Sequence, residues 1–363
     1  EGQPLANEII PCANGLLHTS TRTLLPPDPK LFSLNALPVA FNSKAKKPRG
    51  WLKFLKELFG TDKESIELLQ ELFGMLLIQD TRFQKIFLMV GPKRSGKGTI
   101  ARILRELIGE DNTVSPTLSD LSRHFGLQPL IGKQLAVITD ARLGYHTDVK
   151  DVIERLLSIS GEDAITIDRK NKDAWSVMLS TRFLILTNEF PRLVDASGAM
   201  ASRFIPLILT RSFYGKEDLE LTERLLKERP GILNWALEGL ERLKERGRFV
   251  LPEASKEAVI DLEGLGSPIK DFIEERYIQG PGKIADTGFV YKDYANWAVE
   301  NGARPGLKSI FGRDLKAAFP EIKKVRIKRQ GKRVHVYEGI APRRDNPMWA
   351  YFKELEPRVE PRY

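Results

Sequence analysis

The sequence is poor in the residues that staple small proteins or hold metals. A single cysteine, Cys12, in 363 residues excludes a disulfide framework and any cysteine-rich zinc site, and it fits a reducing compartment. Four scattered histidines, His18, His124, His146 and His335, offer no metal-ligand spacing. No apolar run approaches the roughly 18 residues that a membrane span needs. There is no internal repeat and no low-complexity tract. A basic-then-apolar leader is also missing, and the chain begins at Glu1 without methionine. These features lead us to expect a cytoplasmic protein cut from a longer polypeptide.

What is present is a soluble globular composition, 42% hydrophobic and 29% charged, in a chain long enough to bury a core without staples. Lysine and arginine number 57 against 48 acidic residues, a net charge of +9. That excess suggests a polyanionic partner without locating it.

Residues 1 to about 50 carry short apolar pieces broken by Pro and Gly, and read as a strand-and-turn collar. The basic stretch Lys44, Lys46, Lys47, Arg49 closes it, with no legible function. From Trp51 to Gln79, apolar residues at Ile66, Leu69, Leu72, Phe73, Leu76 and Leu77 predict one or two amphipathic helices. The pattern then changes to buried-strand runs at 86–90, 135–138, 183–186 and 205–209, with helical segments such as 97–108 and 149–157 between them. Strands alternating with helices predict a parallel α/β sheet. Residues 222–247 read as helix. Residues 265–340 read as three helices followed by two short strands, 323–328 and 332–337, the order of a winged-helix domain. The Pro- and charge-rich tail after Ala341 is expected to be poorly ordered.

The strongest motif is Gly91-Pro92-Lys93-Arg94-Ser95-Gly96-Lys97-Gly98-Thr99, placed after a strand and opening a helix. Such a P-loop turns backbone N–H groups toward a phosphate chain. The helix N-terminus adds its dipole, and Lys97 neutralises the β- and γ-phosphates. The hydroxyl that usually binds Mg²⁺ directly after the lysine is replaced by Gly98, which leaves Thr99 as the metal candidate, directly or through water. The run 134–140 ends in Asp140, the arrangement of a Walker B carboxylate that holds Mg²⁺ or orients the attacking water. Its neighbours are Thr139 and Ala141, so the sequence does not decide which of the usual two acidic positions it fills. A third strand ends at Asn188, where an amide can touch the γ-phosphate, or simply start a turn before Pro191. Arg203 follows in Ala-Ser-Arg-Phe, either reaching a phosphate on a neighbouring subunit or ending a helix in solvent.

Two basic features remain. Alternating stretches over 160–177 flank a turn with Arg169, Lys170 and Lys172, a hairpin suited to a nucleic-acid backbone or to solvent alone. Lys323, Lys324, Arg326, Lys328, Arg329, Lys332 and Arg333 crowd the C-terminal hairpin with no acid among them. They fit phosphate contacts or a solvated face. The preceding segment, with Lys308, Arg313 and Lys316, is a groove reader or ordinary surface.

In this order, GPKRSGKGT, LAVITDARL, SGEDAITIDRKNKDAW, RFLILTNEFPRL and ASRF resemble the core motifs of the superfamily III helicases, in particular the poxvirus-type and phage/plasmid primase-helicase family. Residues 14–22 and 37–41 look like that family's entry region. The resemblance implies an AAA+-like ATPase core over 81–250, an N-terminal collar and oligomerisation region over 1–80, a winged-helix DNA-binding domain over 251–341 and a charged tail over 342–363. It implies a hexameric ring translocating on single-stranded DNA, 3′ to 5′, at a replication fork in a bacterial-type host cell, fused upstream to a primase or polymerase module. Lys97 and Thr99 would bind ATP and Mg²⁺, Asp140 would support hydrolysis, and Asn188 would sense the γ-phosphate. Arg203 would act in trans, and Lys170 and Lys172 would grip the strand. The rivals are a P-loop nucleotide kinase, for which the basic hairpin and wing have no use, and a DNA-binding ATPase that does not unwind.

Overall fold

The computed structural model describes residues 8–141, 147–191, 193, 199–266, 268–301, 305–329 and 332–349, without the side chains of 263–266, 268, 329 and 332. By contact density the chain divides into two compact units, one of Glu1–Arg192 with Ser202–Leu262, the other of Leu193–Ala201 with Glu263–Tyr363. No described helix is long and apolar enough to cross a membrane.

The first unit opens with an antiparallel meander, β1 (Ile9–Cys12), β2 (Gly15–His18) and β3 (Thr23–Leu25). Two helices follow, α1 (Arg49–Phe59) and α2 (Lys63–Leu77), the second capped by Asp62, whose carboxylate accepts from Ser65 N–H. The central elements are β4 (Ile86–Val90), α3 (Lys97–Ile108), β5 (Thr113–Val114), α4 (Leu118–Leu121), β6 (Leu135–Ile138), α5 (Val149–Ser160), the β7 (Ala164–Arg169) and β8 (Lys172–Met178) hairpin, β9 (Arg182–Thr187), α6 (Ala199–Arg203) and β10 (Phe204–Ile208). Five of these strands form one parallel sheet in the order β10-β4-β9-β6-β5. Its central strands are almost continuously apolar, with Arg182 and Thr187 only at the two ends of β9, because helices cover both faces of a parallel sheet. All five residues of β4 and all six of β9 are buried.

Beyond the sheet, the helical stretch expected over 222–247 is formed by two helices, α7 (Leu221–Leu226) and α8 (Arg229–Arg246). Pro230 lies in the first turn of α8 and Gly247 closes it in the left-handed conformation. One hydrophobic cluster runs from Ile10 and Leu17 of the meander through Trp51, Phe73 and the sheet to Trp235 and Leu240. Residues 1–80 and 81–250 therefore share one core. At its centre Trp51 is fully buried, with ring centroids 5.5 Å from Trp235 and 5.4 Å from Phe73. Burying these large rings contributes several kcal/mol each.

The second unit follows α9 (Glu253–Gly266), a helix that straddles the division. Its elements are α10 (Pro268–Arg276), β11 (Tyr277–Asp286), α11 (Thr287–Glu300), α12 (Lys308–Ala318), β12 (Lys323–Arg329) and β13 (Lys332–Pro342). The three helices and two strands expected here gain a third strand, so the sheet is three-stranded and antiparallel, β11-β13-β12. Strand β11 escapes sequence reading because it contains Gly280-Pro281-Gly282. The register shifts between Gln279 and Ile284 to accommodate that step.

The tail also begins differently from expectation. Asn346 Nδ2 donates to Asp293 Oδ2 at 2.8 Å and to Arg276 O at 3.1 Å, and Arg343 donates to the carbonyls of Tyr277 and Glu274. Residues 343–349 are thus tied to the second unit, while 350–363 lie outside the described residues. Asp293 is wholly buried, and its carboxyl also takes Tyr277 Oη–H at 2.9 Å and Arg276 at 3.2 Å. Burial raises its pKa, and these donors offset only part of that rise, so the carboxyl stays above its ordinary value.

Candidate functional site

In a parallel sheet every strand delivers its C-terminal end to the same edge, the usual location of ligand sites in open α/β folds. Here β4 delivers Gly91, β9 delivers Asn188 and β6 delivers Thr139 and Asp140. Strand β9 lies between the other two. The sequence-predicted loop, amide and carboxylate therefore end on three adjacent strands.

The glycine loop is tied at both ends. Gly91 N–H donates to Thr187 O, the last residue of β9, at 3.2 Å, and Phe213 N–H donates to Arg94 O at 2.9 Å. At Gly96 the backbone takes φ +88°, which L side chains rarely adopt, and an added Cβ would stand 2.8 Å from Leu58 Cδ2. Only glycine satisfies both demands. The chain then enters α3 directly, so the N–H groups of its first turn face the loop.

Lys97 is nearly buried, and its Nζ reaches four oxygens: Gly91 O at 2.6 Å, Pro92 O at 2.9 Å, Ser95 Oγ at 3.1 Å and Asn188 Oδ1 at 3.3 Å. Burial lowers its pKa. The structure thus joins two of the predicted residues, Lys97 and Asn188, across a strand boundary. Gly98 has no neighbouring atom within 4 Å of where a Cβ would stand, so its missing hydroxyl is not forced by packing. Thr99 Oγ1 lies 3.5 Å from an Arg102 guanidinium nitrogen. Asp140 is exposed beyond the end of β6.

Arg203 is at the other edge of the sheet. Phe204, which follows it, stands opposite Ile86 at the start of β4. Five residues of strand, about 16 Å, separate that edge from Gly91. This exceeds the reach of an arginine side chain, so Arg203 does not touch the glycine loop of its own chain. It instead donates to the Gln84 carbonyl and side-chain oxygens. Sequence reading missed its neighbour Lys85, whose Nζ donates to Ser202 O at 2.7 Å. Burial, and then the charge of Arg203, lower the Lys85 pKa. Its only signal was its place directly before the β4 run.

The β7–β8 hairpin stands outside the five-stranded sheet. Lys170 and Lys172 are exposed around a tip where Asn171 takes φ +58°. Lys170 N–H is fixed by Gln128 Oε1 at 3.0 Å. The Arg169 guanidinium lies 5.5 Å from the ring centroid of Trp175, an exposed aromatic that sequence reading passed over. In the C-terminal hairpin, alternation sorts the cations. Lys324, Arg326 and Lys328 oppose Tyr337, His335 and Arg333 on one face, whereas Lys323 opposes Glu338 on the other. Arg329 and Lys332 pair as strand residues, and their side chains lie outside the described set. On α12, Arg313 is engaged with Asp314 at 3.0 Å.

Comparison with known proteins adds two family matches and two structural likenesses. Residues 3–60 match a family described as "D5 N terminal like", and residues 89–203 match a family of unknown function, DUF5906. The second match takes in Lys97, Asp140, the hairpin, Asn188 and Arg203. Among solved structures, the A form apo structure of the NrS-1 C-terminal region has a TM-score of 0.50 at 16% identity, over 87% of this chain and 79% of that one. A further A form apo structure of that region, residues 305–718, has a TM-score of 0.51 at 15% identity, over 82% and 77%. At such identities the likeness is one of fold.

Proposed function

We propose that this chain is the motor portion of a phage/plasmid-type DNA replication helicase of superfamily III, an ATPase that works as a ring on single-stranded DNA. The observation that carries the reading is the environment of Lys97. A buried ammonium held by the carbonyls of its own glycine loop and by Asn188, on the C-terminal edge of a parallel sheet, is built to exchange those oxygens for phosphate oxygens. The D5-type match at the N-terminus and the fold shared with the NrS-1 region support the same assignment.

The residues present fit ATP. The loop from Gly91 to Thr99 offers backbone N–H groups, the first turn of α3 and Lys97 to a triphosphate. Among the described residues no group of three or more His, Cys, Asp or Glu could hold a metal alone. Mg²⁺ would then arrive with the nucleotide, as it commonly does, with Thr99 and Asp140 as the protein's contribution. Its chemistry there is charge neutralisation at the β- and γ-phosphates.

In this reading Asn188 reports on the γ-phosphate to β9, and Asp140 orients water. Arg203, out of reach of its own loop, serves the site of the next subunit. Lys170 and Lys172 contact the translocating strand. The helix–strand–helix–helix–strand–strand order of the second unit acts as a winged helix, with the cationic face of β12 and β13 on duplex phosphates. The meander and α1–α2 act as collar, and direction is 3′ to 5′.

The test is ATP hydrolysis with and without single-stranded DNA, together with displacement of a labelled strand from a fork. Both activities should be present, and Lys97→Ala should lower nucleotide affinity by about 10- to 100-fold, the worth of a charge-assisted phosphate contact. DNA-independent hydrolysis without displacement would leave a DNA-binding ATPase. Phosphate transfer to a nucleoside monophosphate would leave a kinase.

A further inference from the structure

The basic stretch Lys44–Arg49 has no part in the motor just described, yet the fold gives it a specific setting. A cavity of about 460 Å³ opens beside it, lined by Phe41, Lys46, Lys47, Leu52, Asn234 and Trp235 among others. Lys44, Lys46, Lys47 and Arg49 are all exposed, and none forms an ion pair among the described residues.

The loop that carries them is fixed. Asn42 Oδ1 accepts from Lys44 N–H at 2.9 Å, while Asn42 O accepts from Ala45 N–H at 3.0 Å and from Asn234 Nδ2 at 2.9 Å. Pro48 is buried, and Gly231 of α8 lies so close that a Cβ there would stand 2.4 Å from Lys46 O. Four like charges held in six positions repel one another, and no carboxylate among the described residues forms an ion pair with them. A polyanion would.

The N-terminus of α1 is not the attraction. Glu228 already takes the N–H groups of Gly50 at 3.0 Å and Trp51 at 2.9 Å. The walls narrow the ligand further. Leu52 and the 6%-exposed Trp235 line its apolar side, and the Glu238 carboxylate lines the same cavity, where it would repel a bare phosphate but accept from an N–H donor. An anion outside with a flat, N–H-bearing ring inside describes a nucleotide.

The cavity is also mechanically placed. Leu52 lies near the start of α1, while Phe54 and Leu58 further along the same helix pack against Gly96 of the ATP loop. An eleven-residue helix is a rod of about 16 Å. Its far end is held by Arg211, which donates to Glu57 O at 2.9 Å.

We propose that the Lys44–Arg49 loop and this cavity form a further nucleic-acid site, separate from the two basic hairpins. The site takes one unpaired nucleotide of a single strand, with phosphates on Lys46 and Lys47 and the base against Leu52 and Trp235. The assignment rests on the DNA-motor reading above.

The experiment measures binding of a fluorescent oligo-dT to the full chain across a salt series, for wild type and Lys46→Ala/Lys47→Ala. Each single-strand phosphate contact contributes about 0.7 to the slope of log K against log salt, so the double variant should lose about 1.4. ATP-analogue binding at Lys97 should be retained, which shows that the variant folds. A 4-thiothymidine oligonucleotide should crosslink to a peptide containing Leu52 or Trp235. An unchanged slope, or crosslinks confined to 164–178 and 323–333, would overturn the site. So would thymidine monophosphate binding that the variant loses while oligonucleotide binding stands. Loss of poly-glutamate binding alone would assign the loop to an acidic polypeptide instead. A wild type that binds no oligonucleotide removes the motor reading as well, which separates the two failures.

Discussion

Arg203 and Lys97 lie on opposite edges of one sheet, and that separation makes a quantitative prediction. If Arg203 completes the site of a neighbouring subunit, Arg203→Ala and Lys97→Ala chains are each inactive alone but complementary when mixed. An arginine that stabilises transferring phosphate is worth 10³ to 10⁵ in kcat, about 4–7 kcal/mol, so each parent should read as background. In a randomly mixed ring, a seam works when one side supplies an intact Lys97 and the other an intact Arg203. At equal proportions each condition holds for half the chains, so about a quarter of seams are competent. Phosphate release should therefore trace a parabola against mixing fraction, peaking near a quarter of the wild-type rate at the midpoint. An arginine acting within its own chain gives a flat line instead, because no chain then carries both groups. Native mass spectrometry verifies that mixed assemblies exist, and background activity from such assemblies would refute the assignment. Loss of the Gln84 contacts costs about 1 kcal/mol of stability, to be checked by the unfolding midpoint so that misfolding is not read as lost catalysis.

Three further outcomes follow from buried groups. Burial pushes the Cys12 thiol up to about 11, so at about pH 8 roughly one molecule in a thousand carries a thiolate; Ellman's reagent should label the native chain slowly and the guanidinium-unfolded chain at once. Trp51→Ala removes the ring that joins α1, α2 and α8, and should lower unfolding free energy by about 3–5 kcal/mol in a denaturant titration. Asp293 has a raised pKa in the folded state, so the folded chain holds that proton more readily than the unfolded chain. Its contribution to stability is complete below the ordinary carboxylate range and declines as pH rises through the raised value. That slope should be missing from Asp293→Asn.

Much of the first unit was legible because its signals are local. The run Ile86–Val90 followed by glycines and a helical pattern specifies β4, the loop and α3 within 23 positions, and the structure has α3 at Lys97–Ile108. The turn at Lys170 and Asn171 was equally readable from alternation on either side. Strand β11 was not, because Gly280-Pro281-Gly282 argues against a strand until β13, far along the chain, supplies its partners. The start of α8 was marked by Pro230 and its end by Gly247, whereas the short α7 before it carries no comparable marker, since Lys227 and Glu228 favour helices.

The basic stretch at 44–49 shows why a charge pattern and a site are different kinds of information. Its cations were visible at once, but the cavity beside them needs Asn234 and Trp235, and the Asn234 bond to Asn42 joins residues 192 positions apart. The same holds for Arg203, whose spacing from Asn188 suggested a phosphate contact without saying whose. The parallel register of β10 against β4 decides that its own loop is out of reach. In both cases local sequence supplied the charge, and long-range pairing determined which groups that charge can meet. The +9 excess is therefore better read as several fixed cationic surfaces than as a diffuse field. A single-strand salt slope that falls stepwise, by about 0.7 for each lysine removed from the hairpin tip or the 44–49 loop, is the signature that separates the two.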